Sequence, residues 1–419
     1  MYFVEWLAWL AAIDPKEERE AFKKQNRTIK NRGVYESEDE EYVAAAKKSV
    51  CKTPKSRGPV YVYNEHVLEM RCGMWEDKRG LISILSLTII MLIISGLEIA
   101  SHSIMILIDL ASNYQGEPYG ERLYLAVFFL STTLCILWFY LKYVFRFTRF
   151  EMFTSRHLLI RFNRTTQQVY LHRPPYCGGI VTLPWNGVSS SGSDKKYAPP
   201  GGMGMPLELT WSPVFTGTLR PELIWVGKSA NNFAELQAEW EFIRRFMDDG
   251  PEGLPRPHIT SHFPWPWQAF TPQFEGLTHY FRSSPRVIKC GLVLLSPAFL
   301  IIGTGHWVSL LLCWKPRWPR IIREAGLPGK PVPAVTTVDD YPPHIQERLR
   351  ENAYLWTIRP GKRPERKPRV SKRRPKSQSQ TPDIEKDAPH EVDSIDQPQK
   401  RVVLDRDGAQ PLHGGETPP

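Results

Sequence analysis

Residues 81–112 read LISILSLTIIMLIISGLEIASHSIMILIDLAS, and residues 123–144 read LYLAVFFLSTTLCILWFYLKYV. The first run carries no charge before Glu98, and the second none before Lys142. As a helix, each is long enough to cross a hydrocarbon core of about 30 Å. The connection, Ser112-Asn113-Tyr114-Gln115-Gly116-Glu117-Pro118-Tyr119-Gly120, is rich in turn formers. The pair predicts a transmembrane helical hairpin, about 81–110 and 123–145, with the lipid bilayer as its first partner.

Basic residues set the direction of that hairpin. Lys78 and Arg79 precede it, and Lys142, Arg146, Arg149 and Arg156 follow it, whereas the turn offers Arg122 against Glu117 and Glu121. By the positive-inside rule both ends face the cytoplasm and the turn lies outside. Within the first helix Glu98 and His102 are four residues apart and share a face, with Asp109 two turns on. An ionisable group inside a membrane suggests a polar path for protons or ions. The simpler reading places Glu98 at the outer headgroups, since the residues from Leu81 to Leu97 already rise about 25 Å.

Beyond the hairpin, residues 150–250 change character. Strand-like runs at Leu158–Phe162 and Val169–His172 flank the polar loop Asn163-Arg164-Thr165-Thr166-Gln167-Gln168, and further strands are expected at 180–185, 207–211 and 222–226. Phe233, Leu236, Trp240, Ile243 and Met247 then recur at helical spacing until Gly250-Pro251 ends the helix. The expected class is therefore an α+β integral membrane protein. The transmembrane hairpin joins a cytoplasmic, pleckstrin-homology-like antiparallel β domain with a C-terminal helix, and Trp240 lies in the core.

On either side, residues 1–58 are expected to be a mobile N-terminal segment. The Trp-rich start, Met1 to Ile13, either lies on a membrane or partner or packs its Trp face inward. Val60-Tyr61-Val62-Tyr63 reads as a strand ahead of the hairpin, within a 59–149 section. Residues 251–325 form an aromatic linker, with Phe263-Pro264-Trp265-Pro266-Trp267 suited to a headgroup layer, and a third apolar segment at about 290–314. Pro297 and Gly303-Thr304-Gly305 interrupt that segment and basic residues flank both sides, which favours a re-entrant or tightly kinked pair. Pro316-Arg317-Trp318-Pro319 reads as an interfacial exit, and a short helical segment falls within 326–358.

The net charge of +10 over 419 residues is a local property. Arg359 to Lys376 contributes +9, and the remainder of the chain after it −5. Residues 359–419 have the composition of a disordered tail, basic then acidic. Lys362, Arg363, Arg366, Lys367, Arg369, Lys372, Arg373, Arg374 and Lys376 form a candidate contact for an anionic surface. Nucleic acid is not expected as a partner, because aromatic residues for stacking are missing from that stretch.

Arg161-Phe162-Asn163-Arg164, then Val169-Tyr170, then Pro184-Trp185-Asn186 with Val188, resemble a bacterial family known as domain of unknown function 6708. So does Trp240-Glu241-Phe242-Ile243-Arg244-Arg245-Phe246-Met247 running on to Gly250-Pro251-Glu252. The resemblance covers roughly residues 60 to 330. It implies an inner-membrane protein of a Gram-negative bacterium, associated with type VI secretion. It carries no reaction signature and assigns no functional residues.

Chemistry-bearing motifs are sparse. Six scattered cysteines form no CxxC pair, which suggests neither a disulfide framework nor a zinc site. His258 and His262 have metal-ligand spacing, but the surrounding prolines argue against a helix there and no third ligand stands nearby. Ser189-Ser190-Ser191-Gly192-Ser193 lacks the context of a nucleophile elbow, and Gly201-Gly202-Met203-Gly204 lacks the Lys-Ser/Thr of a phosphate loop. No catalytic, cofactor or metal site is expected. The favoured function is a non-enzymatic inner-membrane protein with a cytoplasmic partner- or lipid-binding domain, linked to type VI secretion. The alternative is a membrane-inserting, depolarising toxin that lines its path with Glu98, His102 and Asp109. A lipid-modifying enzyme is weaker than either, because nucleophile, base and orienting group cannot be named together.

Overall fold

Alternation along the strands explains the layering of the domain. In β2 (Val67–Cys72) and β3 (Leu158–Asn163) the residues Leu68, Met70, Cys72, Leu158, Ile160 and Phe162 point to one core, while Glu69, Leu159 and Arg161 point to the opposite face. The computed structural model describes residues 2–17, 19–20, 36–74, 79–112, 119–193, 205–230, 232–274, 281 and 284–356. All of these belong to one compact unit, Met1–Glu365.

The other strands are β1 (Val60–Tyr63), β4 (Gln168–His172), β5 (Ile180–Pro184), β6 (Val188–Ser190), β7 (Leu207–Trp211) and β8 (Glu222–Val226). They form a single antiparallel sheet in the order β5-β4-β3-β2-β8-β7-β6, with β1 added on β2. The β3–β4 hairpin is fixed at its loop, where Asn163 Oδ1 accepts the Thr166 N–H at 3.1 Å and Gln167 takes φ +51°. The sheet joins β2 directly to β3 in register, Val67 opposite Asn163 through Cys72 opposite Leu158. Two apolar helices therefore lie inside the connection between neighbouring strands.

This changes the expected domain limits. The β domain is not confined to 150–250, because β1 and β2 come from ahead of the hairpin. Leu68, Met70 and Cys72 are wholly buried, and that burial is what brings the strands together across the insertion.

The helix after β8, which we call αC (Phe233–Asp248), covers the inner face of the sheet. Asn232 caps its start by accepting the Glu235 N–H. Leu236, Trp240, Ile243 and Met247 are buried, and Trp240 lies against Trp185 with ring centroids 5.7 Å apart.

The N-terminal region also differs from the expected mobile segment. A first helix, αN1 (Phe3–Ile13), and a second, αN2 (Glu36–Ala46), both reach the core. Tyr2 and Ala46 lie in the inner core, the Trp240 Nε1–H donates to the Ala46 carbonyl, and Arg220 stacks over Trp9. Ser49 and the Val50 amide both donate to the buried Glu241 carboxylate. The apolar side chains and the hydrogen bonds that fix these stretches are spread too sparsely for a sequence pattern to reveal them.

Three helices are long and apolar enough to cross a membrane: Leu81–Ile106, Leu123–Thr148 and Arg286–Leu312. The first, αM1, runs from Leu81 to Ser112. The second, αM2, runs from Tyr119 to Phe139 and continues through a π turn at Tyr140–Val144 to Thr148. They meet where Gly96 lies against Thr133.

The third, αM3 (Arg286–Leu312), is one continuous helix with Pro297 inside it, which corrects the expected re-entrant or kinked pair. Its antiparallel companion precedes it in the chain. A shorter helix, αP (Pro266–Phe274), brings Phe270 onto Gly303 and Phe274 onto Phe299, while Trp307 donates to the Pro264 carbonyl and Lys289 lies over Phe281. As numbers rise on one side they fall on the other.

Candidate functional site

The region where the long helices meet the sheet is built from buried polar groups. Gly80 begins αM1 at φ +125°, with its α-carbon so close to the Ile302 carbonyl and the His306 N–H that no side chain fits. Glu151, wholly buried after αM2, places Oε2 at 3.0 Å from the Gly80 N–H and 2.9 Å from both the N–H and hydroxyl of Ser83. A carboxylate thus caps the first turn of αM1, where orphan amides and the helix dipole both favour negative charge.

Arg79, also wholly buried, donates to the carbonyls of Glu151 and Arg156 and lies over the Tyr2 ring. Ser309 and Cys313 of the αM3 end donate to the same Glu151 carbonyl, and Ser86 pairs with Thr148 at 2.8 Å. Arg156 donates to the carbonyls of Leu310, Cys313 and His262, and burial lowers its affinity for its proton. These bonds tie the ends of all three long helices to the segment that leads from αM2 into β3.

A second polar knot holds the chain returning from αM3. Glu69 Oε2 accepts Arg161 Nε at 2.9 Å, Arg161 Nη2 at 2.7 Å and Trp318 Nε1 at 2.8 Å. Trp318 packs with Tyr61, Leu159 and Tyr170, and Ile322 and Ala325 join the cluster. The outer face of the sheet is thereby covered. The expected interfacial exit at Pro316–Pro319 is instead a plug, because a Trp with a hydrogen-bond partner gains more by covering apolar strand residues than by remaining exposed.

Between the sheet and the αP–αM3 pair lies a cavity of about 320 Å³. Ser56, Arg57 and Gly58 form one wall and Arg71 and Lys228 another, with His157, His258 and His306 beside Trp267 and Leu310. His262 lies outside it, stacked on Tyr61 at 4.7 Å and 14°. Burial and the nearby Lys315 charge lower the proton affinity of His262. His258 and His262 thus share no cage, Ile259 between them pairing in extended form with Val60. Among the described residues, no three His, Cys, Asp or Glu side chains gather as a metal site. Cys177 is buried and its thiol is held protonated by that burial.

Glu98, His102 and Asp109 all lie exposed on αM1. Glu98 and His102 share a face, and it is not the face of Ile93 and Ala100, which are buried. Among the described residues of one chain the three therefore enclose no path. The basic cluster Lys362 to Lys376 and the Gly201–Gly204 loop lie outside the described residues. Sequence reasoning missed the Arg79–Glu151 junction and the cationic cavity. Charges at Arg79 and Arg156 beside the apolar runs were visible, but only as signs of orientation.

A family profile described as "Family of unknown function (DUF6708)" matches residues 135–327. The match runs from within αM2 through the strands β3 to β8 to the segment that covers the outer sheet face, and it leaves out β1 and β2. It supports the similarity to that family and names no activity. No curated protein and no solved structure matches the chain.

Proposed function

We propose that the chain is a non-enzymatic integral protein of a bacterial inner membrane. Its cytoplasmic, pleckstrin-homology-like domain binds a partner or a lipid surface. One observation carries most of this reading: the three long helices turn their Leu, Ile, Val and Phe side chains outward, as with Leu294 at 81% and Val287 at 83% exposure. So much outward apolar surface is costly in water and suits lipid. Both ends of the αM1–αM2 hairpin lie at the sheet, and so does the C-terminal end of αM3. The domain then sits on the side favoured by Arg79, Lys142, Arg146 and Arg149.

An antiparallel sheet of eight strands, followed by a helix across its inner face, supports the pleckstrin-homology-like assignment. The working context, type VI secretion, rests on the family resemblance. The polar junction suits an anchor, because it holds the helices and the domain as one body.

Exposure of Glu98 and His102 on the face of αM1 opposite Ile93 and Ala100 favours a second reading, in which several copies line a depolarising path. Membrane potential in cells expressing the protein separates the two. The anchor predicts a stable potential, unchanged by Glu98→Leu with His102→Leu. Rapid depolarisation relieved by those substitutions would replace it with the toxin.

A further inference from the structure

The end of αM2 that meets the domain carries two arginines with no acidic partner. Arg146 and Arg149 are both exposed, and neither guanidinium forms an ion pair or a hydrogen bond among the described residues. Glu5 on αN1 and Glu151 after αM2 are buried and engaged elsewhere. Glu5 accepts the Met74 N–H at 2.8 Å, and Glu151 caps αM1. The two arginines line a hollow of about 130 Å³ with Trp6, Phe150 and Tyr176, and no Asp or Glu is among its lining residues. Its floor is an aromatic cluster, in which the Phe150 ring lies 5.1 Å from Trp6, 5.9 Å from Tyr176 and 6.0 Å from Phe147, centroid to centroid. Tyr176 holds Arg149 at the rim. Its hydroxyl donates to the Arg149 carbonyl at 2.9 Å, and the Arg149 guanidinium lies over its ring.

The surface beside the hollow is apolar. αN1 turns Glu5, Trp9 and Ile13 inward, and the half-buried Phe3 and exposed Leu7, Leu10 and Ala11 on its other side carry no charge. Leu7 and Leu10 are 44% and 41% exposed, and Phe147 of αM2 is 50% exposed. Phe3 and Trp6 pack on Phe150, two residues past the apolar helix that ends at Thr148. In the membrane reading, this face therefore lies where αM2 leaves the bilayer. A soluble anion would satisfy only the charge, whereas a phospholipid matches both the charge and the apolar surface next to it.

We propose that this corner, between αN1 and the end of αM2, binds an anionic phospholipid. The phosphate sits between Arg146 and Arg149, whose guanidiniums donate charge-assisted hydrogen bonds to its oxygens. The acyl chains run past Phe147, Leu7 and Leu10 into the bilayer. The inference rests on the membrane reading above and names the lipid class and the surface that meets it.

The test uses the full chain purified in detergent. Retention of phosphatidylglycerol and phosphatidylcholine from an equimolar mixture is read by native mass spectrometry. The wild type is expected to retain phosphatidylglycerol in preference. Arg146→Gln with Arg149→Gln is expected to weaken that retention about thirtyfold. Lys315→Gln with Arg317→Gln removes as much charge just beyond αM3, outside the hollow, and is expected to leave retention unchanged. Where the arginine double variant loses its circular dichroism spectrum, Arg146→Gln alone is expected to weaken retention about fivefold.

Equal retention of the two lipids by the wild type, or undiminished retention by the folded arginine variant, would overturn the proposal. So would an equal loss in the Lys315 and Arg317 variant, or calorimetric binding of inorganic phosphate without retained phosphatidylglycerol. Alkaline carbonate extraction reads the membrane assignment separately. Protein released by carbonate refutes the anchor and the lipid site together, whereas embedded protein without selective retention refutes the site alone.

Discussion

Glu239 is a carboxylic acid wholly enclosed in the domain, on the helix that covers the sheet. The backbone amides of Arg57 and Gly58 stand beside its carboxyl. Burial raises its pKa from 4.5 to about 8, against the opposing pull of Arg57. Gly227, at φ +77°, lies so near that a β-carbon there would strike the carboxyl. The sign of the effect follows from proton uptake. The folded chain holds the Glu239 proton up to about pH 8, and the unfolded chain releases it near 4.5. This stabilising contribution is complete below 4.5 and declines through that window by about 1.4 kcal/mol per pH unit. Glu239→Gln is expected to flatten that slope in urea titrations at several pH values, and an unchanged slope would contradict the assignment. Glu151 poses a different case, since its Oε2 holds the first amides of αM1. Glu151→Ala strands those donors and is expected to cost about 2–3 kcal/mol in thermal unfolding. A loss below 0.5 kcal/mol, a rough threshold for surface changes, would show that the cap is dispensable.

Elements differ in how plainly the sequence announced them. αC was legible because Leu236, Trp240, Ile243 and Met247 recur at helical spacing and are buried together. Trp240→Ala should therefore cost about 3–5 kcal/mol in unfolding of the detergent-solubilised protein, and a variant as stable as the parent would remove Trp240 from the core. The β3–β4 hairpin was equally plain, because its polar loop sits between two alternating strands. αM3 was misread because Pro297 and the glycines look like breaks. In the fold those glycines let neighbours approach, Gly303 against Phe270 and Gly305 against Ile84. The αP helix was hidden by Pro264, Pro266 and Pro272, which disrupt any periodic pattern around it.

At the scale of the molecule, the apolar runs and the two-faced strands were local signals and could be read directly. The insertion of a helical hairpin between β2 and β3 was not, because strand pairing across so long an interval leaves no mark in either strand. The cationic cavity was obscure for the same reason. Its residues are drawn from Arg57 to His306 and converge only when the sheet and the membrane helices are assembled. His258 drew attention through its spacing to His262, which proved to be the wrong partner.

The arrangement of helices and domain about a bilayer can be tested by cysteine accessibility in intact cells. With Cys51, Cys135 and Cys290 replaced by Ser, one reporter is placed at Ser112→Cys, the last residue of αM1, and another at Lys330→Cys on the β-domain side. Each is treated with a membrane-impermeant maleimide before and after permeabilisation of the inner membrane. The anchor orientation predicts that Ser112→Cys labels at once and Lys330→Cys only after permeabilisation. Immediate labelling of Lys330→Cys, or protection of Ser112→Cys until permeabilisation, would contradict it.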